Sequence, residues 1–222
     1  NICAALFILP YILFSGYAGV LAERYDEARV IVWTKLAEVV VMALAALGFM
    51  LNSPSLLLLC VFLMGAQSTF YGPVKYSYLP SRLNKDDLTK ANAWVEASTF
   101  IGILLGTLIA GLLVNGFGAA LNYSVVVVAM AVIGLVFAFK VPGLPMAASS
   151  NEQSPHQVSK IPGFKQSLLQ MRDSAKSVES VWQSILGVSA FWLIGSIVLA
   201  NLPAIAKDSF DLSAAGLTWY LA

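Results

Sequence analysis

Residues 39–74 read VVVMALAALGFMLNSPSLLLLCVFLMGAQSTFYGPV, thirty-six positions without a charged side chain. As one helix this run would reach about 54 Å at 1.5 Å per residue. The hydrocarbon layer of a bilayer is about 30 Å thick, so a single crossing cannot use the whole run. The break lies at Asn52-Ser53-Pro54-Ser55. There Pro cannot continue a preceding helix, and Asn and Ser favour turns and caps. The run therefore predicts two membrane helices joined by a tight, uncharged turn.

The same arithmetic extends along the chain. Residues 1–22, 97–139 and 180–206 are also free of charge. The forty-three residues of 97–139 divide at Asn115-Gly116-Phe117-Gly118. The expected spans are 1–22, 30–51, 55–78, 91–114, 118–140 and 180–206, with a seventh opening near Leu212. Of the 222 residues, 59% are hydrophobic and 11% charged, against about 25% charged in a soluble domain. The fold class is all-α, a polytopic membrane helical bundle. The net charge of +1 points to no nucleic-acid partner. Cys3 and Cys60 both lie in apolar stretches and read as small core hydrophobes, not as a disulfide. The chain opens on Asn1 directly into a span and closes at Ala222 within another, which reads as a piece of a longer membrane protein.

Sidedness follows from Lys and Arg, which concentrate on the cytoplasmic side of membrane proteins. Twelve of the thirteen fall on alternate connections: Arg24, Arg29 and Lys35; Lys75, Arg82, Lys85 and Lys90; Lys140, Lys160, Lys165, Arg172 and Lys176. Lys207 alone is on the other side. Residues 23–35, 75–90 and 141–179 are therefore expected in the cytoplasm. The last of these carries four prolines and His156, the only histidine, read as a solvated loop residue. Phe164 to Val178 reads as a short amphipathic surface helix, with Phe164, Leu168, Leu169 and Met171 on one side.

The spans differ in polarity. Span 30–51 after Glu38 and span 118–140 are apolar all round, which suits lipid or full burial. Span 55–78 places Gln67, Tyr71 and Lys75 at four-residue intervals on one face, and span 91–114 does the same with Asn92 and Glu96. Polar groups at membrane depth turn toward partners or a cavity, so these five are candidate substrate-binding residues. Three readings of Lys75 and Glu96 stay open: cavity residues, side chains reaching for the cytoplasmic interface, or an ion pair between helices. For Gln67 the alternative is an interhelical hydrogen bond. Lys35 and Glu38, one turn apart, read as a pair anchoring the start of their span at the interface. Gly102, Gly106 and Ala110, with Gly111 alongside, form a ridge for close helix approach. No H-E-x-x-H, histidine cluster or pair of acids at bilayer depth is present, so neither a metal site nor a membrane enzyme's chemistry is indicated.

Residues 16–29 read GYAGVLAERYDEAR. They resemble the major facilitator signature G-x-L-A-D-R-x-G-R-[RK], which follows that family's second helix. Gly19, Leu21, Ala22, Glu23, Arg24 and Arg29 correspond. The resemblance implies that Gly19, Glu23, Arg24 and Arg29 belong to the gate that locks the two bundles together when the outside is open. Glu23 stands where Asp is usual, and Asp26-Glu27 replaces the turn glycine, with one extra residue before Arg29. On this anchor the spans are the family's helices 2 to 7 and the start of helix 8. The apolar spans become helices 3 and 6, which lie at the lipid-facing periphery. Residues 1–140 form the first bundle without its first helix, 141–179 the central cytoplasmic loop, and 180–222 the start of the second bundle. Gly102 and Gly106 also match a glycine pattern of antiporters, but Thr107 stands in place of its proline. Drug/proton antiport is not implied.

A narrower resemblance covers residues 65–111. Gly72-Pro73-Val74-Lys75-Tyr76, then Leu79-Pro80, Lys90-Ala91-Asn92 with Glu96, and the run Leu104 to Thr107 are similar to the bacterial lysophospholipid transporter branch, which includes the membrane half of acyltransferase fusions. The resemblance implies a carrier in the bacterial inner membrane that brings lysophospholipids, chiefly lysophosphatidylethanolamine, to the inner leaflet for re-acylation. Its partners would be the bilayer, the lysophospholipid, and an acyltransferase fused to it or associated with it. No cofactor is implied. Gln67, Tyr71, Lys75 and Glu96 would serve the headgroup, Phe70 and Phe100 the acyl chain, and Gly72-Pro73 would bend the helix near its inner end. Two alternatives remain: a carrier for another small molecule, or the membrane half of an acyltransferase.

Overall fold

The computed structural model describes residues 2–116, 120–143 and 179–210, with isolated positions between 166 and 177. Among these there are six long helices: α1 (Ile2–Arg24), α2 (Glu27–Met50), α3 (Pro54–Tyr78), α4 (Lys85–Gly116), α5 (Ala120–Ala138) and α6 (Glu179–Phe210). The first five are long and apolar enough to cross a membrane. The expected span at 212 and most of the 141–179 connection, His156 included, lie outside the described residues. Of the surface helix expected at 164–178, Gln166, Leu169, Arg172, Asp173 and Lys176 are helical and Ser177 forms a turn among the described residues.

The chain forms two compact units. One takes in α1, α2, α3, α5 and the opening of α4 up to Asn92; the other takes in α4 from Ala93 together with α6.

Within the first unit, α2 is the central element and packs against both α3 and α5, while α3 also packs against α1. The α2–α3 turn forms where local chemistry requires it. Asn52 adopts a positive φ of 48°, which Asn tolerates better than most side chains. Ser53 caps α3 by accepting from the Leu56 amide at 3.4 Å, and Pro54 occupies the first turn, where a missing N–H costs nothing.

Three narrow seams hold the unit together. The buried residues Cys60, Gln67 and Val74 recur every seven positions on α3, which places them on one face. Cys60 meets Val41 and Ala45 of α2, and Val74 meets Val30 and Ile31. On α5 the buried residues are Ser124, Ala131 and Ala138, again seven apart. Ser124 donates to the Ala46 carbonyl at 3.1 Å, and Ala138 joins the Val30 cluster. The third seam joins α1 to α3. A Cβ at Gly65 would fall on the Phe7 backbone carbonyl, so the two helices touch backbone to backbone there. Phe14 and Phe70 stack 6.1 Å apart in the same pair of helices.

Three expectations change. Cys60 is buried as expected, but Cys3 is exposed, because an outward position on an all-apolar helix needs no core. The fourth helix begins at Lys85, about two turns before residue 91. Its charged opening carries no hydropathy signal, yet Asp86 and Asp87 suit a helix N-terminus. Lys35 and Glu38 lie in the middle third of α2 and not at its start, since that helix begins at Glu27 behind Asp26.

Candidate functional site

Among the described residues, a polar cluster sits between apolar helices where α2 meets α3. Glu38 Oε2 lies 2.8 Å from Lys35 Nζ, an ion pair one turn apart. The same oxygen accepts from Gln67 Nε2 at 3.2 Å, and that amide also donates to the Thr34 carbonyl at 3.3 Å. Ser68 donates to Gln67 Oε1 at 3.2 Å. Lys35 Nζ stands 5.4 Å from the centre of the Tyr71 ring, in cation–π range. The Lys35 stem runs past Gly134 of α5. Gln67 is only 8% exposed, and the Lys35 and Glu38 side chains are 24% and 19% exposed. An ionised group at bilayer depth is costly unless partnered. Here each charge has a counter-charge, and the amide adds a second hydrogen bond to the carboxylate oxygen that Lys35 engages.

Gln67 and Tyr71 therefore turn toward α2, where they meet Lys35 and Glu38. Lys75, eight residues beyond Gln67 on the same helix, lies in the last turn of α3, with Nζ 5.3 Å from the Tyr76 ring. Asn92 is exposed on α4. Glu96 is half-buried within the second unit.

The signature residues lie where α1 hands over to α2. Gly19 and Glu23 are in α1 and Arg24 ends it; Arg29 is in the first turn of α2. Arg24 and Arg29 are exposed, and the Glu23 side chain is outside the described residues. A Cβ on Gly19, Gly72, Gly102 or Gly106 would meet nothing within 4 Å. Pro73 lies inside α3, which continues to Tyr78, and Gly111 is in the second-unit part of α4.

Two features were not anticipated. Arg82, between α3 and α4, reaches Glu27 Oε2 at 3.3 Å and Asp26 Oδ1 at 3.8 Å. Gly65 makes the close approach that was sought at other glycines. Its signal was present in the small residues Gly65 and Thr69 one turn apart, a spacing that marks a helix interface in membranes. For Arg82 the only signal was the acidic pair in place of the signature's turn glycine. Among the described residues no cluster of metal-ligating side chains occurs.

A bundle of apolar helices with a charged handover after the first of them defines a polytopic membrane protein. The Major Facilitator Superfamily model matches residues 1–222, and the chain belongs to that family. Among its curated relatives is the lysophospholipid transporter LplT of Escherichia fergusonii, 32% identical over 197 residues, covering 86% of this chain and 44% of the relative. LplT of Enterobacter sp. (strain 638) is 33% identical over 143 residues, covering 64% and 34%. LplT of Yersinia enterocolitica is 30% identical over 193 residues, covering 85% and 43%. The chain thus spans less than half the length of the curated relatives it matches. No solved structure matches it.

Proposed function

We propose that the chain is part of an alternating-access carrier that moves lysophospholipids, of the lysophosphatidylethanolamine kind, to the inner leaflet of the bacterial inner membrane for re-acylation. Residues 1–140 belong to its first bundle, 141–179 form the central cytoplasmic loop, and 180–222 open the second bundle. Residues 23–29 and 75–90 also face the cytoplasm, and Lys35, in the middle third of α2, lies within the membrane in this reading. The single observation carrying this reading is the likeness, over 86% of the chain, to a protein named a lysophospholipid transporter.

The chemistry of such a substrate is compatible with what α3 offers. A zwitterionic headgroup needs polar and charged partners inside an otherwise apolar protein, and its single acyl chain needs apolar surface. Gln67, Tyr71 and Lys75, with Asn92 and Glu96 from α4, supply the polar set in this reading, and Lys35 and Glu38 stand behind Gln67 and Tyr71. Gly19, Glu23, Arg24 and Arg29 serve the cytoplasmic gate. Gly72, Pro73, Gly102, Gly106 and Gly111 serve packing against helices that complete the carrier. Re-acylation is the work of an acyltransferase fused to the carrier or associated with it.

The test is uptake of labelled lysophosphatidylethanolamine by spheroplasts lacking their own transporter and expressing the full-length protein. Uptake above the empty-vector control supports the reading; no uptake, together with export of a soluble compound, overturns it. Gln67→Ala addresses the site. An interhelical hydrogen bond in a membrane protein averages about 0.6 kcal/mol, so the variant should remain folded while uptake falls. Unchanged uptake would remove Gln67 from the site.

A further inference from the structure

We propose that Arg82 is a staple that fixes the start of the central connection to the acidic turn between α1 and α2. Arg82 gathers three separate stretches of chain. Its guanidinium reaches Glu27 Oε2 at 3.3 Å and Asp26 Oδ1 at 3.8 Å, on the α1–α2 side. It donates from Nη2 to the Pro142 carbonyl at 3.0 Å, just beyond α5. It also lies over the Tyr78 ring at 3.9 Å, at the end of α3. Tyr78 in turn donates its hydroxyl to the same Pro142 carbonyl at 3.2 Å. Val141 packs on the Val30–Val74–Ala138 cluster, and a Cβ on Gly143 would come within 3.2 Å of Asp26 Oδ2.

An isolated surface ion pair contributes little, but this one is neither isolated nor fully exposed. The Arg82 and Glu27 side chains are 16% and 12% exposed. A planar guanidinium has five donors in a rigid fork and stacks on aromatic faces, so it can serve two carboxylates, a carbonyl and a ring at once. Lysine has neither the fork nor the stacking plane. The staple also gives Asp26 and Glu27 a role. They occupy the place of the signature's turn glycine, and they hold the cation that closes this rim. The chain that follows α5 is therefore attached to the first unit at Pro142, four residues beyond the helix end at Ala138.

The experiment uses the full-length protein with its native cysteines, Cys3 and Cys60 among them, replaced by alanine and a nitroxide on Pro142→Cys, which keeps the backbone carbonyl that Arg82 binds. With Arg82 present the label should be immobilised. Arg82→Gln should raise the mobile-to-immobile ratio about tenfold, the factor that losing charge-assisted hydrogen bonds represents. Arg82→Lys should fall between the two. The Asp26→Asn/Glu27→Gln double variant should shift the ratio the same way by a smaller factor, since the arginine keeps its bond to the Pro142 carbonyl, and it carries the test if Arg82→Gln yields no folded protein. A nitroxide at the start of α3, on Ser55→Cys, should not change in any of them. Spectra at position 142 that superimpose with and without Arg82, or with and without the two acids, overturn the proposal.

Discussion

Gln67 is the one polar member of the Cys60–Gln67–Val74 seam, and its burial makes sense only with α2 in place. Its amide spans two acceptors on that helix, the Glu38 carboxylate and the Thr34 carbonyl. A single polar residue in an apolar seam sets register, because sliding either helix leaves the amide unsatisfied. The charge pair beside it has a different weakness. Removing one partner of an enclosed pair leaves an uncompensated charge, while replacing both with apolar residues is often neutral. Glu38→Ala should therefore cost about 2 kcal/mol of stability, less than a fully enclosed pair because both side chains keep some exposure. Lys35→Met combined with Glu38→Leu should recover most of that. Thermal unfolding of the detergent-solubilised full-length protein measures both, and equal losses in the two variants would contradict the ion-pair account. Sequence spacing identified Lys35 and Glu38 as partners, since i and i+3 residues are neighbours on any helix. Their meeting with Gln67, twenty-nine positions beyond Glu38, depends on how two helices rotate against each other, which no local pattern encodes.

At the scale of the element, the helices were legible because hydropathy and turn chemistry are local. The Asn52–Ser53–Pro54 turn formed as its residues require. The early start of α4 was not legible, because a charged first turn outside the hydrocarbon leaves no apolar trace. Packing glycines were the least legible of all. A glycine matters only where another backbone arrives, and that is true of Gly65 but not, among described contacts, of Gly72. The ranking is testable. Gly65→Ala should cost about 1–3 kcal/mol, as overpacking does, because a backbone carbonyl cannot step aside. Gly48→Ala meets the tip of Leu57 at 2.8 Å and should cost less, since that side chain can turn. Gly72→Ala should cost less than Gly65→Ala, since its added methyl meets no atom of the described residues. Equal melting temperatures for Gly65→Ala and Gly72→Ala would refute the close approach of α1 and α3.

At the scale of the whole molecule, the division between basic and uncharged connections sets a topology that reporter fusions can read. Alkaline phosphatase joined after Asn52 should be active and, joined after Asn84, inactive, with a cytoplasmic fluorescent reporter giving the opposite pattern. The reverse result would invert the sidedness drawn from twelve of the thirteen basic residues. The outer surface agrees with lipid as the surrounding solvent. On α5, Leu121, Val125, Met130, Ile133 and Phe137 are exposed, and only the small-residue stripe facing α2 is buried.

The short turn at Asn52 also bears on how the protein is made. Each unpaired charge entering the hydrocarbon costs about 2.5–3.5 kcal/mol, and α2 leaves the ribosome before α3. Lys35 and Glu38 are one turn apart on α2 itself, so they neutralise each other before any other helix arrives. The uncharged, three-residue turn then lets α3 follow at once as the second arm of a hairpin, bringing the Gln67 amide to the pair. The hairpin can thus enter the bilayer as a single insertion unit, its polar groups already matched.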